Sequence, residues 1–312
     1  MRELRRSADL VGDADAVRKH LVEDGYVYLP GFLDVDPIVR TQELIGKALV
    51  DVGWVTDPVT LTAARPDLAF TSDSFATVYP AVQRVEQFHR VALHPRILRL
   101  VSEVLDGEVF CHPARVLRVS PPSVASRMFT RAHQDFVVLH VATDVLTAWI
   151  PFTPTTPDCQ GLRLIPGSHL DGFLPTDPAA GGARPLYLPV RPDDPRWATT
   201  DYQLGDVVLF HSLMVHAGGH NTSHSVRLSG DVRYQLTSEP MRAEFAHPHG
   251  WPRTPDWPEL TADWADAGIT EIPEEVELRP MPTDLPYGEY LRTLTAPPSA
   301  LLNQRLRRTE EA

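Results

Sequence analysis

At 312 residues, 43% of them hydrophobic and 22% charged, the chain is long enough to bury a full core. Its formal charge of −12 argues against nucleic acid or an anionic membrane as the main partner. Its two cysteines, Cys111 and Cys159, exclude a disulfide framework and a cysteine-based zinc site. The opening Met1, Arg2, Glu3, Leu4 has no apolar run after its charges. The apolar stretch at 137–150 is broken by His140 and Asp144 and is too short to span a bilayer. A soluble, cytoplasmic protein is therefore expected, as a monomer or homodimer with a small-molecule substrate and no nucleic-acid or membrane partner.

In chain order, Asp13 or Asp15 caps a first predicted helix that runs to about Asp24, with Ala14, Val17 and Leu21 on one face and Gly25 as its stop. Residues 26–32 read as a short strand. Asp36 and Pro37 open a second helix that ends near Gly53. Residues 54–80 read as irregular, with Trp54, Phe70, Phe75 and Tyr79 packing at the surface or forming a substrate wall. A third helix is expected over 95–105, stopped by Gly107. Short strands then follow at 109–119, 128–140, 146–152, 162–165, 186–190, 207–210, 213–217 and 226–236, separated by Gly, Pro and Asp. That texture predicts an antiparallel sandwich or barrel. Long breaks at 120–126 and 171–184 interrupt it as candidate lids.

Chemistry gathers at His133-Gln134-Asp135. If 128–140 is a strand, His133 and Asp135 point to one side. A distant histidine, His216, follows the Gly205-Asp206 turn and two apolar strands. Two imidazoles and one carboxylate make a facial triad suited to non-haem Fe(II), although zinc hydrolases use the same ligand types. A second match, His169-Leu170-Asp171, follows Pro166-Gly167-Ser168 and lacks a strand. Arg227 comes next, with Ser229 on the same side two residues on. Their guanidinium and hydroxyl suit a carboxylate, whereas locally Arg227 also reads as a surface ion pair.

Four pieces together resemble the phytanoyl-CoA dioxygenase-like family of Fe(II)/2-oxoglutarate oxygenases: His133-Gln134-Asp135, the stretch from Gly161 through Arg163 to His169, Gly205-Asp206 to His216, and Asn221-Thr222-Ser223 to Arg227. The resemblance runs over most of residues 15–238. It implies a mainly β fold with flanking helices (α+β), namely a double-stranded β-helix of the jelly-roll, cupin-like kind. A single oxygenase domain is expected over 1–312, with helical support at 1–107 and the β core at 108–238; beyond the resemblance, Pro-rich 239–302 reads as an irregular wrap and charged 303–312 as a frayed tail. The resemblance implies Fe(2+), 2-oxoglutarate and O2 as cofactors, with His133, Asp135 and His216 as metal ligands. Arg227, Ser229 and Trp149 then contact 2-oxoglutarate, Trp149 being equally readable as a core aromatic. The family often has Ser or Thr two residues past the distal histidine, where this chain has Gly218.

The expected reaction is hydroxylation of an unactivated C–H bond in a natural-product intermediate of bacterial secondary metabolism, with release of succinate and CO2. Halogenases of this type lack the carboxylate that Asp135 supplies here. Desaturation, epimerisation, ring closure and hydroxylation of a free or carrier-bound amino acid share the same ligand set. A cupin-like isomerase and a non-enzymatic β-sandwich binding module are remoter readings. Arg118, Phe136 and Arg163 are the candidate substrate contacts, and the loops carry no decodable substrate motif.

Overall fold

The computed structural model describes residues 1–312 apart from 67, 69, 70, 123–129, 177–186, 283, 285, 286 and 304–312. The expected loops at 120–126 and 171–184, the wall residue Phe70, the strand starts at Met128 and Leu186 and the tail at 303–312 thus fall wholly or partly outside the described residues. Strand β1 (Arg2–Glu3) precedes α1 (Ala14–Asp24), β2 (Tyr26–Leu29), α2 (Val35–Asp51), α3 (Ser72–Gln83), α4 (Glu86–Ala92) and α5 (Pro95–Leu105). Next come β3 (Val109–Cys111), β4 (Val116–Ser120), α6 (Phe136–Leu139), β5 (Leu146–Pro151), β6 (Leu162–Leu164), β7 (Ala198–Thr199), β8 (Val207–His211), β9 (His216–Gly218) and β10 (Arg227–Leu236). Strands β11 (Met241–Arg242) and β12 (Leu278–Arg279) and helices α7 (Trp257–Leu260) and α8 (Tyr287–Thr293) belong to the C-terminal segment.

The helix signals work as expected at α1, where Asp13 accepts from Ala16 N and Gly25 closes the end at φ 79°. Helix α2 begins two residues earlier than predicted, with Asp34 at the N-cap, so Asp36 and Pro37 sit in its first turn instead of at the cap and first position. An acid complements the helix dipole there, and proline loses no hydrogen bond. Helix α3 replaces the end of the expected irregular segment, and α4 fills part of the following stretch, for which no element was predicted. A Thr71–Ser74 capping box starts α3, but Pro80 inside it breaks the pattern that would have announced it.

Two sheets carry the site. The major one has strand order β2-β8-β5-β10-β3, with β4 also on β10, and every pair in it is antiparallel. The minor one runs β1-β7-β6-β9. This is the expected jelly-roll arrangement. The outer face of the major sheet (Leu146, Ala148, Leu209, Leu228, Val232 and Tyr234) packs into one cluster with Val17, Leu21, Ile45 and Val101 of the helices. Between the sheets, Trp149, Val208 and Phe210 meet Leu162, Leu164 and Tyr202. Period-2 alternation along β10 thus leaves Arg227, Ser229, Asp231, Arg233 and Gln235 facing inward. So long a polar row in a buried strand demands a partner for each member.

Three strand expectations fail. The described part of 128–140, residues 130–140, forms no strand: His133 makes one isolated bridge with His216, and Asp135 has helical angles (φ −60°, ψ −28°) at the start of α6. Among the described residues 187–190 are likewise not a strand, and 213–217 pairs only from His216. The chain leaves the sheet here because Gln134 is pinned the other way, donating to the Leu213 carbonyl at 2.6 Å and the Gly172 carbonyl at 2.8 Å.

The Gly205-Asp206 turn that launches β8 is a buried hub. Gly205 has φ +90°, and a Cβ there would lie 2.6 Å from the Leu33 carbonyl oxygen. Asp206 accepts from Tyr28 Oη at 2.8 Å, Gly31 N at 2.8 Å and Gln203 N at 2.9 Å. Asp206→Ala orphans all three donors, so urea denaturation should show a loss of about 3–5 kcal/mol. A loss below about 1 kcal/mol would remove Asp206 from this role.

Acid should also weaken the fold. Burial pushes His112 down to about 4, although its bond to Gln235 Oε1 at 2.8 Å works the other way. The unfolded chain takes up this proton near pH 6.5 and the folded one does not. Stability is therefore full above about pH 6.5 and is lost as pH falls toward 4. Between pH 7.5 and 5, His112 alone should cost about 2 kcal/mol by urea titration. In His112→Asn that share of the slope should vanish.

Candidate metal centre

Three side chains converge although they come from different local structures. His133 and His216 face each other across their bridge, with both N–H···O distances at 3.0 Å. The helical turn at Asp135 brings its carboxylate back beneath them. Asp135 Oδ1 lies 3.7 Å from His133 Nε2 and 3.8 Å from His216 Nε2. One ligand atom from each residue lies within 4.8 Å of the others, and all three residues are buried.

The imidazoles are held in one tautomer. His133 Nδ1 donates to the Arg131 carbonyl at 2.8 Å, and His216 Nδ1 donates to the Met214 carbonyl at 3.0 Å. Each Nε2 lone pair is left facing Asp135 Oδ1. Burial and the neighbouring His216 push His133 down to about 3, and burial also lowers His216. Burial alone would raise the Asp135 carboxyl, but the Arg233 guanidinium beside it overrides this and holds it far below the usual range. Two neutral nitrogens and a carboxylate, all aimed at one point, are what a divalent cation of borderline hardness requires.

A cavity opens beside these atoms, walled by Trp149, Leu162, Ala217 and Gly218 and carrying Arg118, Thr130, Arg227, Ser229 and Asp231 as its polar lining. Arg227 is buried and donates through Nη1 to the Gln160 carbonyl and through Nη2 to Ser120 Oγ at 2.9 Å. Its Nε and Ser229 Oγ are buried with no partner among the described residues. An uncompensated buried guanidinium beside an unsatisfied hydroxyl is a costly arrangement unless an anionic acceptor completes it. The residues present therefore fit a metal ion together with a carboxylate ligand.

The sequence model of the family described as phytanoyl-CoA dioxygenase (PhyH) matches residues 21–229, more than half of the chain. The chain belongs to the phytanoyl-CoA dioxygenase family. It is accordingly a non-haem iron oxygenase that uses 2-oxoglutarate and oxygen. Among curated relatives, the oxygenase is 29% identical to the 1-deoxypentalenic acid 11-beta-hydroxylase of Streptomyces arenae, over 83% of this chain and 91% of that one. It is 23% identical to the peroxisomal phytanoyl-CoA dioxygenase of Rattus norvegicus, over 70% and 67%. Among solved structures, the epimerase SnoN in complex with Fe3+, alpha-ketoglutarate and nogalamycin RO aligns with TM-score 0.53 at 19% identity, covering 93% of this chain and 96% of that one. EctD from S. alaskensis aligns with TM-score 0.52 at 18% identity, over 90% and 91%.

Most of the candidate site residues are brought together. His133, Trp149, His216, Arg227, Ser229 and Arg118 line the cavity, with Asp135 beneath it. Trp149 serves as wall and as core, its ring 4.6 Å from that of Tyr202. Two substrate candidates do not line it. Phe136 packs in the interior against Phe173, ring centroids 5.1 Å apart, because α6 turns it away from the opening. Arg163 lies between Leu162 and Leu164, which face inward, so alternation sends it to the far side over the Trp197 ring at 4.9 Å. His169 is spent on the Val22 carbonyl at 3.2 Å, and His211 on Asp144 at 3.2 Å.

The residues that sequence reasoning missed are Thr130, Thr147, Asp231 and Arg233. For the last two the signal was present as the period-2 continuation of Arg227 and Ser229. Thr130 answers the glycine at 218: a Cβ on Gly218 would meet Thr130 Oγ1 at 3.7 Å, so a hydroxyl from another segment reaches that neighbourhood.

Proposed function

We propose that His133 Nε2, Asp135 Oδ1 and His216 Nε2 hold ferrous iron, that Arg227 and Ser229 bind the distal carboxylate of 2-oxoglutarate, and that the enzyme hydroxylates an unactivated C–H bond of a small natural-product intermediate. The observation that carries this reading is the pair of orphaned buried atoms, Arg227 Nε and Ser229 Oγ, in the same cavity as the His–Asp–His cluster. When bound, the iron and 2-oxoglutarate supply an oxidant strong enough for C–H cleavage, with succinate and CO2 released.

The chain's own contribution is positional. The two backbone carbonyls fix the imidazole tautomers, so no proton must leave before metal enters. Arg233 keeps Asp135 ionised. The buried charge of Arg227 is compensated when the carboxylate binds, which draws 2-oxoglutarate in one orientation. Trp149, Leu162 and Ala217 form apolar walls that keep water from the reacting carbon. The substrate class is supported by the names of two Streptomyces relatives, both 1-deoxypentalenic acid hydroxylases, at 29% and 27% identity.

The test is a panel of polycyclic terpenoid and polyketide intermediates, assayed by oxygen electrode and mass spectrometry. Oxygen uptake should require both Fe(II) and 2-oxoglutarate, and the turned-over substrate should gain one oxygen atom. Uptake that proceeds without 2-oxoglutarate would overturn the reading.

A further inference from the structure

We propose that Arg233 and Thr147 are positioning residues that confine Asp135 to the metal through Oδ1 alone. This rests on the metal reading above. Asp135 is fully buried, and an ionised carboxylate offers about four lone-pair directions. On Oδ2 these are taken by Thr147 Oγ1 at 2.7 Å and by the Arg233 fork, Nε at 3.2 Å and Nη2 at 3.1 Å. Oδ1 accepts from Arg233 Nη2 at 3.0 Å and keeps one direction free. That same oxygen lies nearest the two imidazole Nε2 atoms.

The clamp is built by the sheet. Arg233 on β10 and Thr147 on β5 are directly paired across the strands, so one register delivers both donors to one carboxylate. The Arg233 guanidinium is buried and, among the described residues, donates to Asp135 alone. Its planar fork also fixes the carboxylate plane, which a lysine point charge would not do.

The consequence is a coordination count. If each protein ligand gave one position to a six-coordinate iron, three positions would remain for 2-oxoglutarate and O2. A carboxylate free to bind through both oxygens would occupy one of the three. Arg233 and Thr147 would therefore keep that position open through Asp135, without themselves touching the metal.

The test uses Arg233→Met and Thr147→Val in the full chain. Three readouts are taken: crystal structures of the Co(II)-loaded proteins, Mn(II) affinity, and Fe(II)- and 2-oxoglutarate-dependent oxygen uptake. In wild type one Asp135 oxygen should lie at bonding distance from Co(II), and in Arg233→Met both should. Mn(II) affinity should stay within about threefold while oxygen uptake falls about tenfold or more. A merely structural role predicts the opposite pattern, metal affinity and rate falling together. If Arg233→Met does not fold, Thr147→Val, close in shape, carries the test, with oxygen uptake down about threefold at unchanged Mn(II) affinity. Two-oxygen binding in wild type, one-oxygen binding kept in Arg233→Met, or wild-type uptake in Thr147→Val would each overturn the proposal. Mn(II) affinity undiminished in Asp135→Ala would instead defeat the metal reading itself.

Discussion

Asp135→Ala is expected to reduce 2-oxoglutarate-dependent oxygen uptake and succinate formation by roughly three orders of magnitude or more. The variant loses the only carboxylate of the triad, and with it the charge that draws a cation to two neutral imidazoles. It also leaves the Arg233 guanidinium buried without its counter-charge, which should cost about 3–5 kcal/mol of stability. The two effects separate in the double variant Asp135→Ala/Arg233→Met. Removing both charges should restore much of the stability, as read by urea denaturation, and none of the activity. Activity that returned with stability would mean that Asp135 acts through the fold and not at the metal.

Arg227→Met should act on a different quantity. The guanidinium is buried, and its Nη groups are already committed to the Gln160 carbonyl and Ser120 Oγ, so it is rigidly presented. Truncating one partner of a buried, hydrogen-bonded charge pair costs about 2–5 kcal/mol, so KM for 2-oxoglutarate should rise by roughly 10²-fold. Iron affinity should stay close to wild type. Because burial lowers the Arg227 pKa and Nε has no partner among the described residues, the ligand-free variant should be no less stable than wild type. A KM changed by less than about threefold would take the carboxylate from Arg227.

How the site was legible follows from which interactions are local. The candidate set His133, Asp135, His216 and Arg227 could be picked out because a family resemblance in residue type and order survives in one dimension, and the fold brings the first three together. The assumed reason was wrong at one step, since His133 and Asp135 converge through a bridge and a helical turn instead of a common strand. The strand β10 was legible as a strand, yet its inward row was followed only to Ser229. Asp231 and Arg233 continue the same period, and their partners Arg118 and Asp135 lie 113 and 98 residues away. No local pattern names such partners. Helices α3 and α4 were hidden for a converse reason: Pro80 and scattered aromatics obscure the helical period, and packing on α2 decides the conformation. Phe136 and Arg163 were candidate substrate contacts with no motif to fix their direction, and neither lines the cavity: Phe136 packs on Phe173 and Arg163 lies over Trp197.

The most direct test of the central claim is an anaerobic Fe(II) titration in the presence of 2-oxoglutarate, followed by the visible charge-transfer band of the chelate. Wild type should saturate at one iron per chain, and His216→Ala should give no band while keeping its far-ultraviolet circular dichroism. An undiminished band in His216→Ala would contradict a single iron held by His133, Asp135 and His216.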